Sequence, residues 1–128
     1  MIKVVVDRSH AMVSLTAAGF ISEADVAAAA VELHAGIRSL GDRAGQHVTL
    51  YDLTGVNVAT GAVLEAFSVF FTDTRYRSIW AKRVAFVTRS SLVARQMNRM
   101  RAERPDMQVF EDRGRAVAWL LAAADRAA

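Results

Sequence analysis

Asp52 is the residue best placed to do chemistry. It closes the apolar strand Val48-Thr49-Leu50-Tyr51-Asp52-Leu53, and open α/β sheets bind ligands near the carboxyl ends of their strands. A nearby hydroxyl, Thr54, could form a site with it. The competing reading makes the Asp52 carboxylate an acceptor for backbone N–H groups of the following turn, a common use of Asp at such positions. The three histidines offer less. His10 falls in a turn, His34 on a helix face opposite the apolar stripe, and His47 just before a strand. No pair has metal-ligand spacing and nothing matches His-Glu-x-x-His, so they read as scattered surface residues and no metal is expected. Gly55 and Gly61 bracket Val56-Asn57-Val58-Ala59-Thr60 without either phosphate-loop pattern, and serve turn geometry. Ser90-Ser91 beside Arg89 could hold an anion at a helix N-terminus, although capping is the default role there. No catalytic constellation emerges, and neither an enzyme nor a cofactor is expected.

The arginines and aromatics form a second group. Arg75, Arg77, Lys82 and Arg83 surround Tyr76 and Trp80, while Arg95, Arg99, Arg101 and Arg104 follow a helix. Basic residues interleaved with aromatics suit single-stranded nucleic acid. Here Asp73, Glu103, Asp106, Glu111 and Asp112 break up the field, and arginine stems cover apolar surface. A solvated face is the better reading, and nucleic acid is not an expected partner.

The elements that must position these residues are legible in order. Ile2–Asp7 and Met12–Thr16, separated by Arg8-Ser9-His10-Ala11, make an antiparallel hairpin. Ser22 opens a helix with Glu23 and Asp25 in its first turn, Asp25 at the capping-box position. Val26, Ala30, Leu33, Ile37 and Leu40 form its apolar stripe, and Gly41 ends it. After the strand Val48–Leu53, a second helix starts near Thr60 or Gly61 and runs to about Ser78. The strand Val84–Val87, without alternation, is expected to be buried on both faces. Ser90 or Ser91 caps a third helix with Val93, Met97 and Met100 inward, stopped by Pro105. Met107–Phe110 is the last strand. Asp112 caps a final helix whose Ala116, Trp119, Leu120 and Ala123 pack inward. Strands alternating with helices require parallel pairing through crossovers. The expected fold is therefore α/β in the order ββαβαβαβα.

The second helix is too apolar for one buried stripe. Val63, Leu64, Phe67, Val69, Phe70 and Phe71, with Tyr76, Ile79 and Trp80 beyond them, do not fit a single face. Three readings stay open: a thicker core, a contact patch between two subunits, or the wall of an apolar pocket. Leu64, Phe67, Phe71, Tyr76 and Trp80, together with Asp52, Thr54 and Thr60, are the candidate ligand or partner surface.

The whole chain sets the outer limits. Its 128 residues, 53% hydrophobic and 23% charged, describe one globular domain spanning 1–128. A net charge of +3 is too small an excess to specify a partner. No run approaches the roughly 20 apolar residues of a membrane span, and Met1–Asp7 does not resemble a signal peptide. Zero cysteines exclude a disulfide frame. The expected location is cytoplasmic.

The element order, with Tyr51-Asp52-Leu53-Thr54-Gly55-Val56 and the closing pattern Val109-Phe110-Glu111-Asp112 … Ala116-Val117-Ala118-Trp119-Leu120, resembles the STAS domains, within them the stand-alone SpoIIAA-like bacterial proteins. The resemblance covers nearly the whole chain, and its motifs are mostly structural. It implies a sheet of four or five strands, mostly parallel, with helices against it, no catalytic machinery, and a role in binding partners. In anti-sigma-factor antagonists of this family, the loop after the third strand carries Asp-Ser-Ser-Gly, whose serine is phosphorylated by a partner kinase. Aligned from Asp52, this chain has Thr60-Gly61-Ala62-Val63. The acceptor serine is missing, Thr60 is displaced by one position and lacks the acidic neighbour, and helix N-cap is its favoured role. The resemblance leads to a regulatory or stress-related binding module, acting through protein contacts and as a homodimer. The alternative is a carrier or sensor of an apolar, lipid-like small molecule, which the family's structural kinship with CRAL-TRIO lipid-binding domains favours.

Overall fold

The structure, a computed structural model, describes residues 1–56 and 60–126, and of residues 123–126 only the helical backbone. The expectation for Ala123, and the middle of the loop between Gly55 and Gly61, lie outside the described residues.

Alternating apolar residues make Ile2–Asp7 (β1) and Met12–Ala18 (β2) an antiparallel pair, with Val4 opposite Leu15 and Val6 opposite Val13. Val48–Gly55 (β3), Arg83–Val87 (β4) and Met107–Phe110 (β5) continue the sheet in parallel. The sheet order is β1-β2-β3-β4-β5. Helices Glu23–Arg38 (α1), Gly61–Thr72 (α2) and Ser91–Asn98 (α3) connect successive parallel strands, and Arg113–Arg126 (α4) follows the last. The order ββαβαβαβα and the mixed five-stranded sheet are those expected.

A sheet that grows in one direction through right-handed crossovers places every crossing helix on the same face. Accordingly α1, α2 and α3 share one core with Val13, Leu15, Tyr51, Phe86 and Met107. The alternate residues Val48, Leu50, Ala85 and Val87 face the other way and pack on Ala116 and Leu120 of α4. α1 approaches β1 closely at Gly36, where a Cβ would meet Val6 Cγ2 at 3.0 Å.

Local chemistry sets the element ends. The Ser22 hydroxyl accepts from Asp25 N–H, and the Asp25 carboxylate accepts from Ser22 N–H, a complete capping box. The Ser90 hydroxyl caps α3 through Val93 N–H, and the Asp112 carboxylate accepts from Gly114 N–H. The second helix is shorter than the apolar run suggests. It stops at Thr72, Asp73 is extended (φ −70°, ψ 109°), and a 3-10 turn follows over Thr74–Ile79. Asp73 is the cause, because its carboxylate accepts from Arg75 N–H and starts a new turn. The third helix tightens into a 3-10 turn over Arg99–Ala102.

Candidate functional site

Asp52 faces α4 and is enclosed. Its Oδ1 accepts from Thr54 N–H (3.0 Å) and the Thr54 hydroxyl (2.7 Å), and its Oδ2 from Arg113 Nη1 (2.9 Å). Burial by itself would raise its pKa; the Thr54 bonds and Arg113 outweigh burial and hold the carboxyl below its ordinary value. Three donors of the chain thus meet its two oxygens. Ligand crevices in open α/β sheets form where strand order reverses, and this order never reverses. Thr60 is the N-cap of α2, its hydroxyl accepting from Val63 N–H at 3.2 Å.

The aromatic helix packs on three sides: against the sheet through Tyr51, and against α1 and α3 on its flanks. That absorbs the surplus. Leu64, Phe67 and Phe71, chosen as candidate surface residues, are buried, at 4%, 1% and 2% exposure; Leu64 still lines a groove towards α3 and Phe71 a small inner cavity. Tyr76 and Trp80, on the 3-10 turn and just after it, are half-buried.

Two other expectations fail. His34 does not face away from the core: it lies between α1 and the 3-10 turn, its ring stacked on Tyr76 at 4.0 Å between centroids and 17° between planes. Desolvation and the nearby Arg38 lower its pKa, and Asp73 opposes them. His47 is not a surface residue either, being fully buried. Its Nδ1 accepts from Gly45 N–H, so the neutral ring carries its proton on Nε2, which has no partner among the described residues. Desolvation, with Arg104, pushes its pKa down to about 4.

Arg104 is likewise no part of a solvated face. It is 2% exposed and donates to Phe71 O, Ala81 O and both oxygens of Asp106. Its guanidinium lies 4.4 Å from the Trp80 ring centroid, and that of Arg77 lies 5.4 Å from it. Arg75 is paired with Asp73.

Among the described residues the more apolar of two grooves beside α2, about 450 Å³, lies between α1 and α2, with Ala27, Ala30, Ala66 and Phe70 along it and His34, Arg38, Asp73, Arg75 and Tyr76 among its polar lining; the other, about 370 Å³, lies between α2 and α3. Val31 and Val69 stand on the two sides of the first, 71% and 49% exposed. Sequence reasoning selected only Tyr76 among these. The signal it overlooked was the row of alanines and valines on a second face of α1, where α2 lies alongside. Among the described residues, no three His, Asp or Glu side chains form a group able to hold a metal ion, and no helix is long and apolar enough to cross a membrane.

No family model matches the chain and no curated protein is significantly similar to it. A solved structure does match: an uncharacterised protein of the DUF3478 family from Shewanella loihica PV-4, with a SpoIIAA-like fold. It covers 93% of both chains at 19% identity, with a TM-score of 0.67. The chain has a SpoIIAA-like fold.

Proposed function

We propose that this protein is a non-catalytic binding module of STAS type, working in the cytoplasm and associating through the groove between α1 and α2. The supporting observation is the pair of exposed valines, Val31 and Val69, beside one continuous apolar groove. Exposed aliphatic residues rimming a concave apolar surface are a usual mark of an interaction site. The partner on this reading is a protein, in the first place a second copy of the chain related by a two-fold axis, so that the same patch serves both subunits. The Asp52 cluster supports the non-catalytic part, since its carboxylate is already satisfied internally.

Sedimentation velocity across a concentration series tests this. The wild-type chain is expected as a dimer, and the double variant Val31→Asp, Val69→Asp as a monomer with unchanged circular dichroism. A wild-type monomer at every concentration would remove self-association. An equal dimer in the variant would move the interface elsewhere.

The groove's volume favours a second reading, a carrier or sensor of an apolar small molecule, because ligand sites commonly enclose about 300–1,000 Å³. Native mass spectrometry distinguishes the two: a carried ligand adds mass that is lost on denaturation, whereas a self-associating module shows twice the chain mass and nothing more.

A further inference from the structure

Three residues, His34, Phe70 and Tyr76, line two concavities at once. One is the α1–α2 groove. The other is a small cavity of about 20 Å³ beneath it, bounded by Thr49, Tyr51, Phe71, Trp80 and Arg104. The stacked rings of His34 and Tyr76 therefore stand where the two spaces meet.

The two sides of that partition are held very differently. The inner wall is fixed. Trp80 donates its indole N–H to Asp73 O at 3.1 Å and lies against the guanidinium of Arg104, which is itself bonded to three residues. Tyr51 is buried among Phe70, Phe71 and Phe86, with ring centroids 5.6 to 6.2 Å away. Tyr76, by contrast, is half-buried on a 3-10 turn, whose hydrogen-bond geometry is poorer than that of an α-helix, and its ring is held by the His34 face and by the exposed Arg75, whose guanidinium lies 5.8 Å from its centroid. Swinging Tyr76 outward would join the small cavity to the groove and leave a space lined by Phe70, Phe71 and Trp80 together with the polar side chains of Thr49 and Tyr51. Among the described residues, the one charge on the inner wall, Arg104, is matched by Asp106 and two carbonyls; Arg38 and Arg75, the latter paired with Asp73, belong to the groove outside. His34, with its lowered pKa, is neutral near pH 7.

We propose that this space is a binding site for a neutral planar aromatic molecule bearing one hydrogen-bonding group, of the phenol or indole class, which enters from the groove by displacing Tyr76 from the face of His34. The ligand exchanges one ring for another against His34, so the stacking survives, and its polar group meets Thr49 or Tyr51. The inference rests on the groove as the binding face, but not on a protein occupying it.

The test is an NMR titration of the wild-type chain with indole at pH 7, reading the Trp80 Nε1–H and the His34 ring protons. Trp119, packed on the other side of the sheet with Phe110, serves as internal control. Saturable shifts at Trp80 and His34 but not Trp119 are expected. Removing the displaced ring with Tyr76→Ala should tighten binding by about tenfold or more, whereas Tyr76→Phe, which keeps the ring, should leave it within about twofold. Cyclohexanol, of similar size but not planar, should bind much more weakly. The proposal is overturned if wild type shows no saturable shift, if only Tyr76→Ala binds, or if cyclohexanol matches indole. The sedimentation result for the Val31 and Val69 variant is separate, so loss of the dimer with indole binding intact would strike the protein-partner reading alone.

Discussion

Asp52 keeps its charge inside the protein because three donors meet it, two from Thr54 two residues along and one from Arg113 sixty-one positions away. Its two halves differ in how they could be read. The Thr54 contact is a local turn habit of Asp and was legible in the sequence; Arg113 was not, since nothing local marks a pair so distant. Arg113→Ala should cost about 1–2 kcal/mol, because it strips a charge-assisted bond from a buried carboxylate, and thermal unfolding would register this as a lower Tm. Asp52→Asn, which leaves the Arg113 head free to reach water, should cost a similar amount. A loss of stability below about 0.5 kcal/mol in both variants would mean the pair is screened as a surface pair is.

At the scale of elements, Arg104 is a joint. Its guanidinium holds the last turn of α2 at Phe71, the approach to β4 at Ala81, and the start of β5 at Asp106. The amphipathic pattern of the third helix ended before this residue, and in sequence it resembled any other solvated arginine. Truncation to Ala would leave two buried carbonyls and a carboxylate without their donor, so Arg104→Ala is expected to lose about 3–5 kcal/mol, measurable by urea unfolding. Arg104→Lys should recover only a part, since one ammonium cannot reproduce the planar fork. Element identities themselves were accessible because strand and helix periods alternate cleanly along the chain. What period alone could not supply was sideways packing. A stripe analysis treats each helix as lying on one surface, and therefore put His34 on an outward face, where the 3-10 turn after α2 covers it through Tyr76.

Across the whole molecule, the titrating groups that fall between acid and neutral pH act in one direction. His34 and His47 have folded pKa values below the ordinary 6.5, that of His47 about 4, and the Asp52 pKa is lowered as well. The unfolded chain therefore binds more protons than the folded one throughout this range, and stability falls as pH falls. His47 alone should remove on the order of 3 kcal/mol between about pH 6.5 and 4, with Asp52 adding its share at lower pH. Denaturant unfolding at pH 7, 5.5 and 4.5 should show a steady decline, and His47→Gln should flatten it; a flat wild-type profile would contradict the burial of this ring. The one-directional sheet sets α1, α2 and α3 side by side on one face, so the groove between α1 and α2 has a shape that depends on how high each helix rides. Gly36 governs that height for α1. It lies on the side that meets β1, where an added Cβ would stand 3.0 Å from Val6 Cγ2, and so behaves as a shim. A single methyl group added there must push Val6 aside or lift the helix, and a lifted α1 changes its spacing from α2. The aperture of the groove is thus adjustable from its hidden side, by a position no ligand would ever touch.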